Sequence, residues 1–449
     1  MAEVRSNRLS LNEKVCYSLG DCAGQIYVAL ATFFLTGYYT DTVGIAAAAV
    51  GTMMLVARIF DGTSDLIMGA LVDKTNTRWG KARPWILWTA PLMGIALFAM
   101  FSVPEFLGYD GKLIYAYITY ILLNCIIYTA NGIAYNSLLA RMTLDVQDRV
   151  SCTSIRFVLG TITTLGVNAI TANLVTQIGW SYLAAGYSGL MAMLLFTCFW
   201  GCKERVGEKS DGETVQVKEV PLKVAFPTLL KNKFFYLQAA MMIFLYINIM
   251  TVGSMMYFFC NSVINDLSQM TFMSMCYTIP TILGCFANPT LVSKMGKRRV
   301  LIYSFILAII GRLLVGAAGT DMTLILVGVA LHGLALGPIY SNVFAITPDV
   351  IDYGEWKTGI RSEGLTTCCV SFGLKVGLGL GGFVVGQILA FGGYDGMAAT
   401  QAQSALDAIQ FGFGYLSVIL SAICLGIIYL LNIDQYINQI QADLTAKHG

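Results

Sequence analysis

Three ionisable residues in the run VARIFDGTSDLIMG stand where an otherwise apolar stretch should carry none: Arg58, Asp61 and Asp65. At about 100° per residue along an α-helix, they fall within roughly 60° of one face. A charge at membrane depth costs at least about 2.5 kcal/mol, so it is kept beside a partner or a polar cavity. Two carboxylates one turn apart, with a cation alongside, suit a small hard cation that takes oxygen ligands. Paired acids can also share a proton. The plainer alternative is a structural ion pair between Arg58 and Asp61.

Other charges pose the same question. Lys375 in SFGLKVGLGLGGF lies about 12 residues from either end of its apolar run, too deep for its ammonium to snorkel easily to an interface. The acids of the second run are its natural partners. Arg156 stands early in its run, where snorkelling is open to it. Arg312 stands near the outer end of another run, close to Asp321, and reads as a solvated anchor.

These residues need membrane-spanning helices to hold them, and the composition supplies the helices. Of the 449 residues, 56% are hydrophobic and 12% charged, and the mean hydropathy is +0.68. Soluble domains carry about 25% charged residues, so a water-soluble multidomain enzyme is excluded. A net charge of +2 offers no basic excess for nucleic acid. Apolar runs recur at 15–39, 45–72, 84–103, 113–139, 151–178 and 182–202, then at 234–260, 268–292, 300–318, 322–347, 364–391 and 408–431. Twelve spans of about 20 residues account for the length. The polar stretch 203–233 divides them into a bundle at 1–202 and a bundle at 234–431, with a tail at 432–449.

Lysine and arginine set the orientation. Lys74, Arg78, Lys81 and Arg83 lie in the 2–3 loop, and Lys294, Lys297, Arg298 and Arg299 in the 8–9 loop; seven more lie in the linker. The loops 261–267 and 392–407 have none, and Lys112 is the exception. Linker and termini are therefore expected on the cytoplasmic side. LVDKTNTRWGKARP after the second span has a counterpart in LVSKMGKRRV after the eighth, a weak repeat between the halves. The layout is that of two six-helix bundles around a midplane site.

The twelve cysteines lie largely in apolar runs without CxxC spacing, which suits packing better than metal binding. The two histidines, His332 and His448, make a histidine-bound metal centre implausible. The polar start MAEVRSNRLSLNEK shows no removable signal peptide.

Several motifs in order resemble a known family. YYTD at 38–41, ARIFDGTSD at 57–65, RWGKARPWIL at 78–87 and DYGEWKTGIRSEG at 352–364 are similar to the glycoside–pentoside–hexuronide:cation symporters. The resemblance implies an all-α membrane protein of the major facilitator fold, importing a sugar with Na⁺ or H⁺, or with Li⁺, and needing no cofactor. It implies that Asp61, Asp65 and Thr129 form the cation site and that Lys375 links it to the sugar, with Arg58 assisting the coupling. It places Arg156, Tyr128 and Tyr340 at the sugar. Gln25 and Gly132, with Asn131 next to it, stand where a relative has acids. Losing those acids leaves Arg156 and Lys375 to make the cavity electropositive, so that a glucuronide and a neutral glycoside or pentoside are equally open.

Lys81 and Arg83, set against Asp349, Asp352, Glu355 and Arg361, read as a cytoplasmic latch of charge pairs. Their alternative role is to set topology alone. The aromatic residues Tyr27, Phe34, Tyr38 and Tyr135 are more often packing than binding residues. An amphiphile carrier for lysophospholipids is the nearest competing function, and a membrane-embedded enzyme or a passive channel the more distant ones. Short outer loops and the lack of a phosphate-cradling or histidine motif argue against the enzyme. The expected partners are a small sugar and the bacterial inner-membrane bilayer, with a monomer sufficient for transport.

Overall fold

The chain is apolar over long stretches, and with no water to satisfy its peptide groups the backbone must hydrogen-bond to itself. It does so as long helices. The computed structural model describes residues 8–143, 145–205, 232–360, 363–398, 400–436, 439–440 and 443. Twelve helical spans follow one another, the later halves of some passing through short wider turns. In the first half they cover Leu11–Thr42, Ala47–Lys74, Arg83–Met100, Tyr109–Met142, Val146–Ile178 and Trp180–Gly201. In the second half they cover Lys233–Val263, Gln269–Met295, Lys297–Ala317, Met322–Ala345, Glu363–Gly392 and Gln403–Leu430. A further helix, Thr347–Thr358, follows span 10.

Among the described residues, eleven helices are both long and apolar enough to cross a membrane by composition. Span 2, which carries Arg58, Asp61 and Asp65, is not among them; the apolar stretch found in it is Ala47–Arg58. Its 28 residues still make a helix of about 42 Å, ample for a bilayer. The chain is an integral multi-pass membrane protein. Its outward surface fits, with side chains such as Ile95, Tyr182, Trp200, Phe286 and Phe391 mostly exposed.

The described residues form two compact units. One holds those up to 205 together with 395–398, and the other those of 232–394 and from 400 onward. The polar stretch expected as a linker lies mainly in 206–231, outside the described residues, as does most of the tail.

Within the second unit, glycine sets how closely helices approach. A Cβ on Gly377 would lie 2.6 Å from the Ile243 carbonyl oxygen, and one on Gly381 2.6 Å from Met250 Cβ. Span 11 therefore lies against span 7 along its 373–377–381 stripe, as small residues allow in membranes. Lys375 is two residues from Gly373, about 200° around the helix, so it leaves span 11 on the side away from span 7.

The loops after spans 2 and 8 do the same work in both halves. Arg83, the first residue of span 3, donates from Nε and Nη2 to the Phe199 carbonyl at 3.3 and 2.9 Å, near the end of span 6. Its guanidinium also lies 4.7 Å over the Phe199 ring. Arg298, the second residue of span 9, donates to the carbonyls of Ile428 (3.2 Å) and Tyr429, near the end of span 12. A cation on the last carbonyls of a helix is favoured by the helix dipole. In the first unit, Glu204 completes the joint by accepting the backbone N–H groups of Lys81, Ala82 and Arg83 at 3.0, 2.8 and 2.9 Å. Gly80, at φ +105°, makes room: a Cβ there would sit 2.4 Å from the Glu204 carboxyl carbon.

Candidate functional site

Span 2 places Asp61 near its middle, and Asp61 is 3% exposed. Arg58 Nη1 donates to Asp61 Oδ2 at 3.0 Å, so the ion pair is formed. On the other oxygen, Thr129 Oγ1 donates to Asp61 Oδ1 at 3.1 Å. Asp65 is half-buried one turn further along the same helix.

The backbone of span 4 explains how Thr129 reaches span 2. Leu122–Tyr128 winds as a π-helical stretch that ends just before Thr129. Such insertions recur at functional sites because they rotate the side chains that follow them. Around the joint, Tyr27 donates to Asn124 Oδ1 at 2.7 Å and the Cys125 thiol to the Ala57 carbonyl at 3.1 Å. The result is a buried set of oxygens, two from Asp61 and one from Thr129, with Asp65 adjacent. Among the described residues, no group of three or more His, Cys, Asp or Glu side chains could hold a metal ion.

The second polar centre of this unit was only half visible in the sequence. Arg156 Nε lies 2.9 Å from Asp21 Oδ1, and Arg156 Nη1 donates to Asn136 Oδ1 at 3.2 Å. Gln25 Nε2 donates to Asp21 Oδ2 at 3.3 Å, and Gln25 Oε1 faces the Thr164 hydroxyl at 3.5 Å. The guanidinium stands 5.2 Å over the Tyr135 ring, which stacks on Tyr17 at 4.5 Å and 9°. Asp21 corrects the expectation of an electropositive cavity around Arg156. The signal was available: an acid six residues into the run 15–39 obeys the same rule that singled out Arg156.

The remaining candidates divide. Gly132 has open space where a Cβ would point, and Tyr128, 4.9 Å from Tyr27, is half-buried. Asn131 is buried and donates to Thr89 Oγ1 at 2.8 Å, so its amide ties span 4 to span 3 rather than facing that space. Tyr340 and Lys375 belong to the second unit, and both are half-buried. Tyr340 and Tyr277 both pack against the hydrophobic core of the second unit. Tyr38 and Phe34 pack with Phe101 and Trp180, an aromatic cluster of the kind that seals a core.

The residues expected as a latch have partners inside their own units. Arg83 is taken up by Phe199, and Asp349 by Lys297 at 2.8 Å. Glu355 is buried, Asp352 and Lys81 are half-buried, and Arg361 lies outside the described residues. Arg312 overturns its reading as a solvated anchor. It is fully buried, it donates to the Phe413 carbonyl at 3.3 Å, and it lies 4.9 Å over the Phe413 ring. Asp321 instead caps span 10, accepting from the backbone of Thr323 and Leu324.

An all-helical membrane chain with acids and arginines paired deep inside one bundle has known counterparts. The family model described as MFS/sugar transport protein matches residues 16–435. An isoprimeverose transporter of Lactiplantibacillus pentosus is 32% identical, covering 99% of this chain and 94% of its own. A glucuronide carrier protein homolog of Escherichia coli is 30% identical, covering 87% and 85%. Among solved structures, the nucleoside transporter NupG superposes with a TM-score of 0.65 at 16% identity over 93% of this chain and 98% of that one. A D-xylose-proton symporter gives 0.64 at 13%, covering 92% and 96%. These structures share the fold. The sequence kinship goes further: the chain is a transporter rather than an enzyme, and it belongs to the MFS/sugar transport family, in its glycoside–pentoside–hexuronide:cation symporter branch.

Proposed function

We propose that this protein imports a glycoside or pentoside together with a cation, by alternating access between its two bundles. The observation that carries the reading is the Asp61 centre. A carboxylate 3% exposed in the middle of a spanning helix, with one oxygen facing a hydroxyl from another span, suits a small ion moved in and out of the bilayer. Arg58 pairs with one oxygen of the carboxylate at 3.0 Å, and Asp65 adds a second acid one turn away.

A Na⁺ ion would take oxygens from Asp61, Asp65 and Thr129; Li⁺ fits the same donors. A proton would need only one of the acids. Lys375 then links the cation to the sugar, with Tyr128, Gly132, Arg156, Gln25 and Tyr340 around the substrate. The basic loops, the linker and both termini lie on the cytoplasmic face of the bacterial inner membrane, and one chain suffices for transport. The relatives' names include both isoprimeverose and a glucuronide, an uncharged sugar and an anionic one, so kinship leaves the substrate's charge open.

The test is uptake into proteoliposomes under an imposed Na⁺ or H⁺ gradient. Wild type should accumulate sugar against its own gradient with one of the two ions. Asp61→Asn and Asp65→Asn should lose that accumulation by tenfold or more while still exchanging sugar down a gradient. Undiminished uphill uptake in both variants would remove the cation assignment.

A further inference from the structure

Asp21 and Arg156 form a charged pair at a depth where water is scarce. Each is ten residues from the start of its helix, Leu11 and Val146, or about 15 Å along the axis. The two spans, 32 and 33 residues long, overhang a hydrocarbon core about 30 Å thick by about 10 Å at each end, so both charges lie inside its cytoplasmic-side edge. Their side chains keep 14% and 32% of their surface exposed. Partly exposed charges at this depth turn to a polar cavity, not to lipid. Gly160 leaves room for the pair: a Cβ there would meet Asp21 Oδ2 at 2.9 Å and Gln25 Cγ at 3.2 Å.

The pair still has hydrogen-bonding capacity. A carboxylate offers about four acceptor directions and a guanidinium five donors. Asp21 accepts from Arg156 and Gln25, and Arg156 donates to Asp21 and Asn136. A sugar hydroxyl both donates and accepts, so a carboxylate beside a guanidinium can bind two neighbouring hydroxyls, one through each partner. A carboxylate or sulfonate on the sugar meets the opposite situation. The charge of Arg156 is already opposed by Asp21, and the Asp21 oxygens repel a second anion at contact.

The charges of the unit agree. More than two turns inside its spans, this unit carries Arg58 and Arg156 against Asp21, Asp61 and Asp65. One monovalent coupling ion brings that interior to neutrality and leaves no positive charge in it for an anionic substrate. Lys375, in the second unit, is the cation that would have to attract one.

We infer that the Asp21–Arg156 pair is a recognition site for an uncharged sugar and selects against sugars bearing a carboxylate or sulfonate. The inference rests on the sugar-transport reading above and names the substrate class within it.

The experiment is counterflow in proteoliposomes with three labelled probes: 4-nitrophenyl β-D-glucoside, 4-nitrophenyl β-D-xyloside and 4-nitrophenyl β-D-glucuronide. The first and third differ only in whether C6 is an alcohol or a carboxylate. Wild type should exchange the glucoside or the xyloside at least tenfold faster than the glucuronide. Asp21→Asn removes the repelling charge and frees that of Arg156, so the ratio should shift tenfold or more toward the glucuronide. A wild type that exchanges the glucuronide as fast as the neutral probes would overturn the inference and leave the sugar-transport reading intact. So would a ratio that Asp21→Asn does not move. Exchange of none of the three by monodisperse protein would instead overturn the sugar-transport reading, and the inference with it. The wild-type comparison needs no variant, so a misfolded Asp21→Asn cannot shield the claim.

Discussion

Two arginines deep in this chain are held in different ways. In the first unit, Arg156 lies 2.9 Å from a carboxylate and keeps a third of its side chain exposed. In the second, Arg312 is fully buried, and among the described residues no carboxylate pairs with it. Its hydrogen-bond partner is the Phe413 carbonyl, and its Nε and Nη2 have no partner among the described residues. An arginine that must exchange a ligand needs an opposite charge that stays with it when the ligand leaves, and access to solvent. An arginine that only fills a helix junction needs neither. On the function proposed above, the difference separates working charges from packed ones within one protein.

The sharpest way to break that separation is to strip a working pair of one partner. Removing one member of a buried ion pair costs about 3 kcal/mol or more, because the other charge stays behind. Arg58→Met removes the arginine that pairs with Asp61 at 3.0 Å, and should lower the thermal unfolding temperature in detergent by several degrees. Adding Asp61→Asn should restore most of it. A variant as stable as wild type would show that the Arg58–Asp61 pair does not hold the helix bundle together.

The helix-end arginines should give a middling and matched effect. Arg83→Ala and Arg298→Ala each remove a cation from the last carbonyls of a span and a ring contact, worth about 1–2 kcal/mol together. The same unfolding measurement should show comparable losses for the two. A loss confined to one would mean that the two loops share a sequence pattern but not a role.

The smallest effect belongs to Arg312. With no carboxylate to abandon, Arg312→Met should change stability by less than about 1 kcal/mol, or raise it, as apolar replacement of buried charge often does. It should leave transport rates near wild type. A collapse of uptake with normal folding would place Arg312 among the working charges.

The contrast also marks what the sequence made legible. The spans could be read because twenty apolar residues have few other fates: 113–139 was expected and Tyr109–Met142 is found, 45–72 was expected and Ala47–Lys74 is found. The loop repeat was readable as a pattern, but its purpose appears only when Arg83 and Arg298 meet the ends of distant spans. The wider turn at Leu122–Tyr128 leaves no mark on apolar periodicity, so Thr129 was placed through resemblance, not through helix phase. Arg312 was misread because it stands five residues from the end of span 9, within reach of an interface for a free helix. Glycines remove that freedom. A Cβ on Gly414 would come 2.7 Å from Gly316 Cα, so span 12 crosses directly over span 9 and closes Arg312 in. Sequence gives the depth of a residue along one helix, but not which neighbour covers it.

The account turns on Asp61 as the seat of the coupling ion, and the direct measurement is sugar binding to purified protein with and without that ion. Lys375→Ala and Asp61→Asn should be compared with wild type by titrating the glycoside that wild type exchanges. If the two ligands are linked, the ion tightens sugar binding in wild type, and each favours the other by the same factor. The account predicts enhancement of fivefold or more in wild type, its loss in Asp61→Asn and a clear reduction in Lys375→Ala. Full enhancement in Asp61→Asn would contradict it.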